Sequence, residues 1–157
     1  MSLVEVFNIR VKKLHPYASL PAYSNGDENN AGLDFSAVES FKLKAGEVTK
    51  VPTGIAVDFS QDNDEAYFPV RKFYMKLESR SGLASKGIFV VGGVIDQNYR
   101  GEIIVLLYNS TNQDYLIEKG NRIAQGIIIQ TIYAQIKEVP ELTDTIRGTG
   151  GFGSTGK

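Results

Sequence analysis

A chain of 157 residues without cysteine carries 17 Lys and Arg against 18 Asp and Glu, for a formal net charge of -1. That length suits one domain, and the charge balance excludes the basic field that draws a protein to nucleic acid or to an anionic membrane. The lack of thiols excludes disulfides, thiolate nucleophiles and thiolate metal sites.

From the N-terminus, Val4, Val6, Ile9 and Val11 alternate with residues that include Glu5 and Arg10. The alternation predicts a strand over 4–11 and not the apolar core of a signal peptide. The single histidine, His15, stands before Pro16 and reads as a loop or surface residue, neither base nor metal ligand. Residues 24–30 form a polar loop. Further strands are predicted at 41–43, 48–51, 55–59, 73–78, 88–91, 103–109, 115–117 and 122–133, between clusters of Gly, Pro, Asn and Asp. Such short β-rich runs indicate a sandwich, barrel or jelly roll. The run 103–108 is apolar on both faces, as in a central strand or one at a subunit contact. No apolar stretch reaches the roughly 18 residues of a membrane span, so a soluble intracellular protein, cytoplasmic or nuclear, is expected, with neither nucleic acid nor membrane as partner. Loops are expected at 61–65 and after Arg147, and no repeat or linker divides the chain.

Glycine-rich likenesses near the end do not carry function. Gly148, Gly150 and Gly153 spell G-x-G-x-x-G but follow no strand and open no helix. The P-loop likeness from Gly151 to Lys157 has no Ser or Thr after its lysine.

Three other segments have chemical content. Arg80-Ser81-Gly82-Leu83-Ala84-Ser85-Lys86-Gly87 follows a strand. One helical turn there would offer free N–H groups to an anion and Arg80 a fork of donors matched to phosphate; the bland alternative is a helix cap with a surface arginine. The stretch Gly92-Gly93-Val94-Ile95-Asp96-Gln97-Asn98-Tyr99-Arg100-Gly101-Glu102 reads as a hairpin. Its glycines let backbone groups approach a flat ligand, and Asp96 is the best-placed carboxylate for activating water. Asp and Asn are also ordinary turn residues, and Tyr99 could simply pack. In the tail, Arg147 and Phe152 stand among glycines, so an arm folding over a nucleotide could stack Phe152 on the base and present Arg147, Ser154 and Thr155 to phosphates. A plain flexible tail is the alternative.

In order, Ala31-Gly32-Leu33-Asp34-Phe35, Arg80 to Ala84, Gly93-Val94-Ile95-Asp96 with Tyr99-Arg100-Gly101, Gly120-Asn121-Arg122-Ile123-Ala124-Gln125, and Arg147 to Gly156 resemble the five motifs of the trimeric deoxyuridine triphosphatase (dUTPase) family. Thr53-Gly54-Ile55 matches that family's strand start. The resemblance implies an all-β, distorted jelly-roll (β-clip) subunit with at most a short helix, assembling as a homotrimer with three shared sites. A β domain over 1–146 and a glycine-rich arm over 147–157 closing on a site are expected. The implied reaction is Mg²⁺-assisted hydrolysis of dUTP to dUMP and pyrophosphate, limiting uracil incorporation into DNA and supplying dUMP for dTMP synthesis.

By the same resemblance Asp96 is the general base. Gly93, Val94 and Ile95 read uracil through their backbone, and Tyr99 lies under the deoxyribose, leaving no room for a 2′-hydroxyl. Arg80, Ser81, Gly82 and Gln125 serve the α and β phosphates, while Arg147, Phe152, Gly153, Ser154 and Thr155 act from the arm. Asp34 supports an active-site arginine. The magnesium ion is expected on the substrate phosphates and water, with no protein ligand.

The chain departs from the pattern at Asn121, where Asp is usual, at Gly126, where a larger apolar residue is common, and in a stretch 59–77 that is longer than usual. An insertion around 61–72 is expected there, a candidate surface for a protein partner. Two other functions were weighed: a nucleotide-gated regulatory module on the same fold, and a deaminase of cytosine nucleotides, which the hairpin and tail fit less well.

Overall fold

The computed structural model describes residues 7–60 and 72–150. The Val4 and Val6 half of the first predicted strand, residues 61–71 of the expected insertion, and Phe152, Gly153, Ser154 and Thr155 of the arm lie outside the described residues.

Eleven strands are described: β1 (Arg10–Lys13), β2 (Ala22–Tyr23), β3 (Leu33–Ser36), β4 (Phe41–Leu43), β5 (Val48–Asp58), β6 (Lys72–Glu78), β7 (Ile88–Val90), β8 (Val94–Asp96), β9 (Glu102–Asn109), β10 (Tyr115–Ile117) and β11 (Arg122–Thr131). One short helix, α1 (Ser81–Ala84), follows β6, and a 3₁₀ turn spans Ser24–Gly26. The strands form an antiparallel sheet β1-β5-β9-β7, a second sheet β2-β3-β11-β6-β8, and a small pair β10-β4. Phe35 and Met75 from the second sheet and Val51, Ile55, Val105 and Leu107 from the first meet in one buried apolar cluster. This is the expected all-β, jelly-roll-like subunit with a single short helix.

Several boundaries differ from those predicted. The two runs 48–51 and 55–59 are one strand, β5, with its register broken between Pro52 and Ala56. Pro52 has no N–H for the ladder, and Gly54 takes φ +68°, as at a β-bulge. Side chains repair the gap: the Glu102 carboxylate accepts from the Gly54 N–H at 2.7 Å, and the Thr53 hydroxyl donates to the Ile103 carbonyl at 2.7 Å. Thr53-Gly54-Ile55 is therefore the middle of a strand and not its start. The first strand begins at Arg10, and the last ends at Thr131 and not at 133. Lys72, assigned to the insertion, opens β6 opposite Thr131.

Strand β9 lies between β5 and β7, as expected of a central strand. Its Ile103, Val105 and Leu107 are buried, whereas Ile104 on the other face is 38% exposed, with Val48 and Phe89 also exposed on the flanking strands. At its end Asn109, fully buried, donates to the Leu43 and Gln113 carbonyls and accepts from Thr111, so its amide is satisfied where three strands meet. No helix among the described residues is long and apolar enough to cross a membrane.

Candidate active site

The candidate residues gather at two places along β6. At its C-terminal end, Asp34 of β3 accepts from Arg80 Nε at 2.8 Å and from Arg122 Nη1 at 3.0 Å. The Asp34 side chain is only 10% exposed, so one nearly enclosed carboxylate aligns two guanidinium groups, a charge-assisted arrangement with fixed geometry. Arg122 also donates to the Ser24 hydroxyl at 2.8 Å. Gln125 of β11 lies opposite both Asp34 and Glu78, and its amide donates to the Ser79 carbonyl at 3.1 Å. The first bonds of α1 run from the Leu83 and Ala84 amides to the Arg80 carbonyl, so the Ser81 and Gly82 amides precede the ladder and are left for another acceptor. Arg80, Ser81, Gly82, Gln125 and Asp34 are thus brought together. Sequence reasoning missed Arg122 and Ser24 here. Arg122 is 88 residues from its carboxylate, and no local spacing signals such a pair.

The second place is the β8 edge and the turn after it; β8 pairs with β6 whereas β9 pairs with β5 and β7, so residues 92–102 cross from one sheet to the other and are not the expected hairpin. Gly92 and Gly93 both take positive φ, and a Cβ on Gly93 would stand 2.9 Å from the Leu77 Cβ. Only glycine lets this backbone lie so close to β6, where the Leu77 N–H donates to the Gly93 carbonyl at 2.7 Å. Beyond it Val94, Ile95 and Asp96 pair with Lys76, Met75 and Tyr74. Ile95 packs inward against the core while Val94 and Asp96 are exposed, the alternation of an edge strand. Asp96 faces a cleft of about 860 Å³, shared with Tyr74, Gln97, Asn98 and Arg100. The Tyr99 N–H donates to the Asp96 carbonyl at 3.0 Å, closing the turn. The Tyr99 ring folds over Gly101, where any Cβ would run into it, and its hydroxyl donates to the Glu102 carbonyl at 2.9 Å. That packing explains why glycine stands two residues after the tyrosine.

Asp96 and Arg80 do not meet within one chain. Tyr74, opposite Asp96, is separated from Arg80 by extended chain spanning on the order of 20 Å at about 3.3 Å per residue. Arg147 joins neither group: its Nε donates to the Gly150 carbonyl at 2.9 Å in a local turn. Between Thr131 and that turn, Ile132, Ile136, Leu142 and Ile146 are almost fully exposed.

Both substitutions that depart from the expected pattern have a structural account. The Asn121 side-chain oxygen accepts from the Glu118 N–H at 2.9 Å, a turn-closing role that needs an acceptor but no charge. A Cβ on Gly126 would stand 2.7 Å from both the Met75 sulfur and the Phe35 ring, so those two side chains occupy the volume a larger residue would fill.

Among the described residues no three His, Cys, Asp or Glu side chains gather into a metal-binding cluster.

A family model described as dUTPase matches residues 18–156. The deoxyuridine 5'-triphosphate nucleotidohydrolase of Paramecium bursaria Chlorella virus 1 is 44% identical over 150 residues, covering 95% of this chain and 98% of that protein. The enzyme of the same name from Rickettsia prowazekii is 43% identical over 162 residues, covering 99% of each. Among solved structures, the Staphylococcus bacteriophage 80alpha dUTPase with dUPNHPP superimposes with a TM-score of 0.82 at 26% identity, over 97% of this chain and 100% of that one.

Proposed function

This chain belongs to the dUTPase family, and we propose that it hydrolyses dUTP to dUMP and pyrophosphate at a site built from the two residue groups above. The observation that carries the reading is an exposed carboxylate, Asp96, held on a glycine-permitted edge strand within the matched span. The water oxygen forms a bond to the α-phosphorus as the bond to the bridging oxygen breaks, pyrophosphate leaves, and Asp96 takes the water's proton. The usefulness of Asp96 as a base lies in how it is oriented toward that water.

Backbone groups of Gly93, Val94 and Ile95 read the uracil edge. Cytosine would leave buried donors and acceptors unmatched, a mismatch worth a factor of about 10⁴ or more. Rejecting the thymine methyl by fit alone is worth only ~1–3 kcal/mol, so a rigid backbone wall is needed there. Tyr99, fixed over Gly101, supplies the ring that closes the space of a 2′-hydroxyl. Arg80, with Ser81, Gly82 and Gln125, receives the α and β phosphates, and Asp34 keeps Arg80 aimed. A glycine-rich arm from Arg147, carrying Phe152, Gly153, Ser154 and Thr155, covers base and γ-phosphate.

A Mg²⁺ ion that entered with the triphosphate would keep much of its water, beside phosphates facing Arg80, Ser81, Gly82 and Gln125. When bound it neutralises phosphate charge, while this chain's residues orient the nucleotide and accept the proton.

The separation of Asp96 from Arg80 supports a homotrimer in which the β8 edge and its turn in one subunit meet the Arg80 group of another. Two apolar surfaces agree: the Val48, Phe89 and Ile104 face, and the uncovered segment carrying Ile132, Ile136, Leu142 and Ile146. Exposed patches of this kind mark association surfaces.

Pyrophosphate release from a panel of deoxynucleoside triphosphates with Mg²⁺ tests the reading. Rapid release from dUTP is expected, with dCTP slower by about 10⁴ or more and dTTP by about 10- to 200-fold or more; no turnover of dUTP above background rules it out.

A further inference from the structure

We propose that Asp58 and Arg100 form a brace that positions the Asp96–Tyr99 turn, an inference that rests on the function proposed above. Arg100 stands in the third motif with no role assigned to it, and Asp58 lies outside all five. Arg100 Nη1 donates back into its own turn, to the Gln97 carbonyl at 2.6 Å and the Tyr99 carbonyl at 3.0 Å. Its Nη2 pairs with Asp58 Oδ1 at 2.7 Å. One guanidinium thus joins the two carbonyls that flank Asn98 to the last residue of β5, a strand of the other main sheet.

The anchor is itself fixed. Asp58 Oδ1 accepts from the Ser60 N–H at 3.0 Å and the Ser60 hydroxyl at 2.7 Å, and Oδ2 pairs with Arg10 of β1 at 2.9 Å. The Ser60 hydroxyl bond, followed by its backbone bond and the two arginines, holds the Asp58 carboxyl below its ordinary pKa against the opposing effect of burial. The carboxylate is therefore charged wherever the reaction would run. On the opposite flank the Gln97 side chain accepts from the Phe73 N–H at 3.2 Å, continuing the β8 ladder one residue past its last backbone pair. The turn is held from both sides, by β6 through Gln97 and by β5 through Arg100.

Stability does not account for this arrangement. The Arg100 side chain is 48% exposed and the Asp58 side chain 26%, and pairs so open to water add little to folding. Geometry does account for it. Asp96 must hold water in line with a phosphorus and Tyr99 must fill the sugar space, and a displacement near 1 Å at such groups costs about 10²-fold in rate. Lysine cannot substitute, because a point ammonium does not span two carbonyls and a carboxylate as a planar fork does.

The test measures kcat and KM for dUTP, the UTP-to-dUTP rate ratio, and hydrogen exchange at the Tyr99 amide in wild type, Asp58→Asn, Arg100→Ala, Arg100→Lys and the double variant Asp58→Asn/Arg100→Ala. A brace lowers kcat about 10-fold or more in each single variant with KM changed less than about 3-fold, raises the UTP ratio, and speeds Tyr99 exchange. Lysine does not restore the rate, and the double variant is no worse than Arg100→Ala, as for two members of one unit. Asp114→Asn, which breaks the pair with Lys42 on the β4–β10 side, keeps wild-type values. Should Asp58→Asn fail to fold, Arg100→Lys carries the same readouts. Unchanged kcat, UTP ratio and Tyr99 exchange in folded Asp58 and Arg100 variants overturn the brace while leaving the hydrolase intact. If wild type releases no pyrophosphate, or Asp96→Asn matches it, the functional reading fails instead. The brace is then judged by Tyr99 exchange alone, faster in Asp58→Asn if it stands and unchanged if it does not.

Discussion

Asp96 is exposed, yet its backbone is fixed by the Tyr74 pairing and by the Tyr99 amide. Replacing the carboxylate by an amide leaves those bonds intact and removes only the proton acceptor. Asp96→Asn is therefore expected to lower kcat for dUTP by about 10² to 10⁴, the usual share of a general base, with KM held within about 3-fold. Steady-state pyrophosphate release measures both, and a wild-type rate would remove Asp96 from the role. As a candidate this residue stood out because a carboxylate between glycines at a turn is chemically conspicuous. Asp58 and Arg100 were not. Aspartate ending a strand and arginine in a turn are ordinary surface residues, and their meeting depends on a fold that brings positions 42 apart in sequence together.

At the scale of elements, β11 runs between β3 and β6 with Gly126 at the one point where Met75 and Phe35 close over the strand. Gly126→Leu, toward the larger apolar residue expected there, drives a side chain into filled volume. Such overpacking costs typically ~1–3 kcal/mol, and the loss is expected as a lower urea midpoint. Truncating the neighbour, in Gly126→Leu/Met75→Ala, should recover part of it, because the two sites share one space; an unchanged midpoint in the single variant would contradict the packing described. Strands rich in β-branched and aromatic residues, such as β6 and β9, were readable as apolar β-prone runs between turn residues. The short strands β2, β3 and β8 were not, because Asp34 and Asp96 interrupt the apolar pattern and only tertiary pairing makes those segments extended. The division of β5 into two predicted runs has a similar cause. Pro52 and Gly54 are local breakers, and the side chains that carry the strand across them, Glu102 and Thr53, act through contacts about 50 residues away.

For the whole molecule the decisive fact is that Asp96 lies opposite Tyr74 near the start of β6, whereas Arg80 follows that strand's other end. If each site takes its β8 edge and turn from one subunit and its Arg80 group from a neighbour, Asp96→Asn and Arg80→Ala damage different halves of every site. Trimers of either variant alone should be nearly inactive. Dissociated, mixed in equal amounts and reassembled, they should regain activity. A site works only where the β8 edge comes from an Arg80→Ala chain and the Arg80 group from an Asp96→Asn chain. Random assembly of a cyclic trimer gives that combination at about one site in four, hence about a quarter of wild-type activity. Sites built within single chains would give no recovery at all, because no chain in the mixture carries both residues. The measured fraction therefore reports directly whether the two residue groups, too far apart to meet in one subunit, meet across a subunit boundary.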